Sequence, residues 1–181
     1  SCWIDLYRSG SGAADRSAIA RTDSSSGSAG VASFWWSSQP WRSTSRFALR
    51  MPAEWELHEA TWLGWPHNAS DWPGKLSTIH WVYSEIVRKL IAGEQIFILV
   101  NSKPHEDRAK RFLFRVGVNT KNVRFFQIPT NRSWTRDFGP IVVKNSLPQL
   151  HRVVAQFGFN AWARYSDWKK DNQVPVRLAK R

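Results

Sequence analysis

Residues 94–101 read Glu94-Gln95-Ile96-Phe97-Ile98-Leu99-Val100-Asn101. A strand's side chains alternate between its two faces, so an unbroken apolar run bounded by polar residues predicts a strand covered on both sides. On its amino side, Leu76, Ile79, Val82, Ile86, Val87, Leu90 and Ile91 recur at three- and four-residue steps. That spacing predicts an amphipathic helix over 76–92, with Gly93 as its stop. On the carboxyl side, Ser102 and Pro104 open a second predicted helix near 104–116. Ala109, Phe112, Leu113 and Val116 are its expected inward residues, and Gly117 closes it. Further out, 60–65 and 123–128 read as strands, the first ended by Pro66. Ile141 to Lys144 and Gln149 to Phe157 read as a hairpin, and Val176 to Lys180 as the start of a helix. Strands alternating with helices make this an α/β chain. No Gly-rich turn follows a strand, and there is no P-loop, zinc-ligand spacing or GxSxG elbow.

Composition narrows the function classes. Lys and Arg number 26 against 14 Asp and Glu, a formal charge of +12. Such a balance raises nucleic acid as a partner, but no finger, RNP-like or helix-turn-helix signature accompanies it. The densest basic stretch, Lys103 to Arg124, falls largely on the second helix and reads as its solvated face. No run reaches the roughly 20 apolar residues of a membrane span. Neither a nucleic acid nor a membrane is therefore expected as a partner. The one cysteine, Cys2, excludes an internal disulfide and a cysteine metal cluster, and points to a reducing compartment, the cytoplasm. Asn68-Ala69-Ser70 and Asn131-Arg132-Ser133 fit the glycosylation pattern and, with no signal peptide in view, read as chance matches. His58, His67, His80, His105 and His151 are scattered and read as surface or packing residues.

Residues 1–50 differ in kind from the rest. Ser, Gly and Ala dominate, and Ser24 to Gly30 has the composition of a flexible linker. No helical or strand period persists there. The single Met, Met51, stands where the composition changes. The expected organisation is a disordered or non-native leader over 1–50 and a folded domain over 51–181. A transit peptide is the alternative reading of the leader.

Function is most legible in Ser133-Trp134-Thr135-Arg136-Asp137-Phe138-Gly139-Pro140. The stretch connects two predicted strands, where rigid scaffolds present functional side chains. Gly139-Pro140 reads as a turn. A carboxylate with a Trp three residues away suits a planar cation: Asp137 can take the N–H fork and Trp134 can offer a ring face. Equally, Asp137 can cap a turn or pair with Arg136 while Trp134 fills core.

Five motifs together resemble the agmatine deiminase and Porphyromonas-type peptidylarginine deiminase family. They are Met51-Pro52-Ala53-Glu54-Trp55-Glu56, His58 to Pro66, Asp71-Trp72-Pro73-Gly74, Trp134 to Pro140, and Phe159-Asn160-Ala161-Trp162 with Trp168 and Asp171. The resemblance spans 51–181 and none of 1–50. It implies the amino-terminal part of a pentein-type α/β propeller of ββαβ modules, truncated here. A cut propeller would leave Phe125, Ile128 and Val142 without partners. It also implies hydrolysis of a guanidinium to a ureido group, as in agmatine plus water giving N-carbamoylputrescine and ammonia, a step in putrescine formation. A cysteine thiolate attacks, a histidine moves protons, and no metal or organic cofactor takes part. By this resemblance Asp137 is a catalytic, guanidinium-binding acid and Trp134 lines the same pocket. The expected partner is a small guanidinium substrate, and the full-length form can be a homo-oligomer. The family's catalytic histidine and cysteine lie beyond the matched part, so this chain is expected to be inactive alone. Action on peptidyl arginine, or a non-catalytic fragment, are the alternatives.

Overall fold

The structure is a computed structural model describing residues 4–7, 18–21, 49–145 and 152–181. Its centre is a four-stranded sheet in the order β1-β4-β5-β6. Here β1 is Ile4–Tyr7, β4 is His58–Gly64, β5 is Gln95–Val100 and β6 is Val123–Gln127. β4, β5 and β6 run parallel, and β1 pairs antiparallel with β4. Helix α1, Leu76–Leu90, links β4 to β5, and α2, Lys103–Arg115, links β5 to β6. A second sheet has the order β2-β8-β7-β3. It joins Ala18–Arg21 (β2), Leu49–Arg50 (β3), Ile141–Asn145 (β7) and Arg152–Gln156 (β8). The α/β expectation holds.

The run at 96–100 is buried on both faces, with no residue more than 5% exposed. Ile96, Ile98 and Val100 join Leu63, Tyr83, Val87, Ala109 and Leu113 in a core under the two helices. Phe97 and Leu99 face the other way and join Ala60, Trp62, Ile128, Phe138, Phe159, Ala161 and Val174. The period of two along β4 and β5 thus divides one sheet between two cores.

Several expectations need correction. In α1, Val82 is 46% exposed, while His80, Tyr83 and Ser84 are buried. The polar pair is tolerated because His80 Nε2 meets the Pro66 carbonyl at 2.9 Å and Ser84 Oγ donates to the His80 carbonyl at 2.8 Å. The helix ends at Leu90 with Ile91 as its cap, before Gly93. Gly117 does take the left-handed conformation after α2, at φ 73°. Ile128 and Val142 are buried, and Phe125 packs partly buried on the helical core, so none of the three is an unpartnered face. From within 1–50, expected to lack any strand, come β1, β2 and β3. Short strands can add to a sheet edge through main-chain hydrogen bonds without an apolar face of their own, which a search for periodicity does not detect. The rest of 1–50, and with it the expected disorder, lies outside the described residues, as do residues 146–151 between the antiparallel β7 and β8. Among the described residues, no helix is long and apolar enough to cross a membrane.

Candidate functional site

β4, β5 and β6 are parallel, so the loops after them emerge along one edge of the sheet. In open α/β sheets that edge is where ligands bind. Hydrogen bonds knit the loops together. His67 Nε2 meets the Thr130 carbonyl at 3.1 Å, and Asn68 Nδ2 donates to the Asn131 carbonyl at 3.2 Å. Asn101 accepts the Thr130 N–H at 2.8 Å and returns its amide to the Thr130 carbonyl at 3.2 Å. Gly64, the last residue of β4, makes this possible. A Cβ there would lie 3.1 Å from both the Cα and the carbonyl oxygen of Ser133. Only glycine lets the loop carrying Trp134 lie against the strand end.

Arg132 is the centre of the edge. It is 4% exposed, and its guanidinium binds both Asp71 and, at 2.8 Å, Asp167. The guanidinium carbon stands 3.9 Å from the centre of the Tyr165 ring. A planar cation between two acids and an aromatic face is well matched in charge and shape. The hydrogen bond from Arg132 holds the Asp167 carboxyl below its usual value. Burial, only partly offset by Arg132, pushes the Asp71 carboxyl up. Behind them Asp171 is fully buried and accepts the Asn131 N–H at 2.6 Å and the Arg132 N–H at 3.3 Å. Burial pushes its carboxyl to about 7 against the pull of those N–H groups.

Two partners of Arg132, Asp71 and Tyr165, also line a cleft of about 390 Å³, together with Ser70, Trp134, Trp162 and Arg164. Trp134 also packs on Trp72, with ring centres 5.3 Å apart. Trp162 is carried on a left-handed turn in which Ala161, Trp162 and Ala163 have φ of 53°, 57° and 56°. L-residues adopt this conformation at a cost, and such strain gathers at functional sites.

The two residues singled out from the sequence take different places. Trp134 is half-buried in the wall of the cleft. Asp137 lies on a one-turn helix, Thr135–Phe138 (α3), rather than an open connection. Its carboxylate is exposed, is not part of the cleft lining, and pairs with no described residue; Arg136 reaches Glu54 instead, at 3.4 Å. Gly139 has φ −75°, so Gly139-Pro140 ends the turn without a left-handed residue. Asp71 and Asp171 lie in motifs of the sequence that assign neither of them a role. Their link to Arg132 crosses 61 and 39 residues of chain, which local spacing does not reveal.

Parallel strands with a loop-built, acid-and-aromatic edge define an open α/β protein. The chain belongs to the Porphyromonas-type peptidyl-arginine deiminase family, whose model matches residues 50–181. It is 28% identical to an agmatine deiminase of Pseudomonas aeruginosa over 135 residues, 72% of this chain and 34% of that protein. A putative agmatine deiminase of Mycoplasma capricolum is 30% identical over 133 residues, 71% of this chain and 34% of that protein. Among solved structures, a C. jejuni agmatine deiminase with substrate bound superposes with a TM-score of 0.62 at 28% identity. That match covers 74% of this chain and 37% of the other. The chain thus spans about a third of the length of the curated relatives it matches.

Proposed function

We propose that residues 51–181 are the guanidinium-holding part of an agmatine deiminase-type amidine hydrolase, part of a pentein-type propeller. In this reading the assembled enzyme converts agmatine and water to N-carbamoylputrescine and ammonia in the cytoplasm, on the route to putrescine, as a monomer or a homo-oligomer. Asp137 holds the substrate guanidinium as the cation, and Trp134 covers its alkyl chain. A carboxylate fixes the plane of a guanidinium and favours its charged form, the form a thiolate can attack. The exposure of Asp137 leaves it open to an external cation, whereas Asp71 is already occupied by Arg132. The nucleophile and proton carrier are supplied from outside residues 51–181, which contain no cysteine.

The observation that carries this reading is the family match over 50–181 with Trp134 and Asp137 at the loop edge of the parallel strands. The test is a chimera in which residues 51–181 replace the matching third of the P. aeruginosa agmatine deiminase. The chimera should form the ureido product from agmatine, and the chain alone should not. Asp137→Asn in the chimera removes one charge and one acceptor. The expected cost is on the order of 3 kcal/mol in transition-state stabilisation, roughly a hundredfold in kcat/KM. A folded chimera with full turnover after that substitution would remove Asp137 from the site.

A further inference from the structure

We propose that the seam between α1 and α2 binds single-stranded nucleic acid, with Arg108, Arg111 and Arg115 taking successive phosphates and Trp81 stacking a base. The seam lies on the helical side of the sheet, and its role is independent of the deiminase reading.

The basic run from Lys103 to Arg124, expected from sequence to be a solvated face, divides in space. Lys103 pairs with Glu106 at 3.1 Å and with Asp107 at 2.9 Å, and Lys110 pairs with Glu106 at 2.5 Å. Arg108, Arg111 and Arg115 are exposed and pair with no carboxylate among the described residues. At about 100° per residue these three fall within a stripe roughly 60° wide, on the side of α2 opposite the buried Leu113. No acid of α2 falls within that stripe. The three span about 10 Å along the helix axis, a spacing of charges that suits the phosphates of one extended strand. Arginine forks also match phosphate oxygens in shape.

The stripe borders an aromatic seam. The Arg115 guanidinium carbon is 5.9 Å from the centre of the Phe112 ring. Phe112 in turn meets Trp81 of α1 at right angles, with ring centres 5.4 Å apart. Burial first, and then the Arg108 charge, lowers the His80 imidazole, which places Arg108 beside α1 as well. The Trp81 indole is fixed by its contact with Phe112 and is still 41% exposed. Unpaired cations beside a ring held at the surface are the combination that binds single strands: the cations track the backbone and the ring takes a base. An anionic bilayer fits less well. Phe114, at 82% the most exposed large apolar side chain of the two helices, lies about a quarter-turn away from the arginines. A membrane that engaged the stripe would leave that ring in water.

The test measures fluorescence anisotropy of a labelled oligothymidylate of about twenty nucleotides with the 181-residue chain, over a series of salt concentrations. Binding that weakens as salt rises is expected. Arg108→Gln, Arg111→Gln and Arg115→Gln together should weaken it at least tenfold and lower the slope of log affinity on log salt by about 2. Lys121→Gln, Lys169→Gln and Lys180→Gln together remove the same charge from exposed positions elsewhere and should weaken it less than threefold. Trp81→Leu should weaken oligothymidylate about tenfold and leave inorganic polyphosphate, which has no bases, bound as before. Equal losses from the two triple variants would reduce the surface to net charge and overturn the proposal. A Trp81→Leu variant that binds oligothymidylate like the parent would overturn it too. Tighter binding of phosphatidylserine vesicles or of polyglutamate through the same arginines would overturn it in favour of a membrane or an acidic protein. Circular dichroism checks the fold of each variant; if Trp81→Leu unfolds, the comparison of the two triple variants decides.

Discussion

The two sides of the central sheet's strands differ in material. Under the helices, Leu63, Val87, Ile96, Ile98, Ala109 and Leu113 form an apolar core. A few residues further along the same strands, the loop edge buries Arg132, Asp171 and the side chain of Asp71, and three consecutive residues at 161–163 have positive φ. The first region gains by removing apolar surface from water, a term without direction or pH dependence. The second holds charges that are stable only in company, and its geometry depends on each partner being present. A scaffold tolerates change where the forces are non-directional, and a site is specific where they are not.

The largest expected effect breaks the clamp. Arg132→Ala leaves two carboxylates, one of them buried, without a counter-ion. The expected cost is about 4 kcal/mol. Leu113→Ala on the helical side should cost about 3 kcal/mol through lost transfer energy and a cavity. The two separate by pH rather than by size. Below the ordinary carboxyl range the abandoned acids protonate and the Arg132→Ala deficit should shrink, while the Leu113→Ala deficit stays level. Urea midpoints for both variants at neutral and acid pH measure this. Parallel curves would mean that Arg132 acts by packing alone.

The pH dependence of the parent chain sharpens the contrast. Burial lowers the His105 imidazole to about 4, helped by the nearby His67 charge. Its neutral form is also the one its contacts need. Nδ1 accepts the Asn101 N–H at 3.0 Å, and Nε2–H faces the Pro66 carbonyl at 3.4 Å. The unfolded chain therefore binds more protons at this position, and its contribution is present above about 6.5 and lost as pH falls towards 4. Asp171, raised to about 7, has the opposite sign. The folded state binds more protons there, so its contribution is present below about 4 and lost as pH rises to 7. Across the shared window the two contributions offset one another. Asp171→Asn should unmask stability that rises with pH, and His105→Gln stability that falls. Two variants with the same slope between pH 4.5 and 6.5 would refute the pairing.

A smaller effect tests the seam between the regions. Gly64→Ala places a methyl against the Ser133 backbone, which cannot swing aside as a flexible side chain would. About 2 kcal/mol is expected, with a shift in Trp134 fluorescence as its loop moves. A loss of stability with unaltered emission would mean that the strand gives way and the loop does not.

How far the sequence could be read follows the same division. The apolar run at 96–100 and the two helical periods place their elements within about two residues, because burial repeats at the period of the backbone. His80, read as a surface or packing histidine, packs inward where the period places Val82, because a buried histidine is identified by the carbonyl it meets, and that of Pro66 is fourteen residues away. At the edge, Trp134 and Asp137 were legible as a motif, but the exposure of Asp137 was not, since it depends on how α3 is seated. Asp71 was visible within a motif but without a role, and Arg132 and Asp167 as letters only. Their association is a matter of three loops meeting, and no local period encodes it.

The smallest expected effect concerns the left-handed turn. Ala163 is exposed and has φ 56°, so its methyl contributes strain and no core contact. Glycine there removes roughly 1–2 kcal/mol of left-handed strain and adds roughly 0.5–1 kcal/mol of unfolded-state entropy. Ala163→Gly should therefore stabilise by about 0.5–1 kcal/mol. Ala161 is the control within the same turn. Its φ is 53°, but it is fully buried in the core beside Phe138 and Phe159, so glycine there also loses a packed methyl. Ala161→Gly should be neutral or destabilising. If the two substitutions behave alike in thermal unfolding, the turn is not strained in solution, and Trp162 is held at the cleft by packing rather than by the backbone.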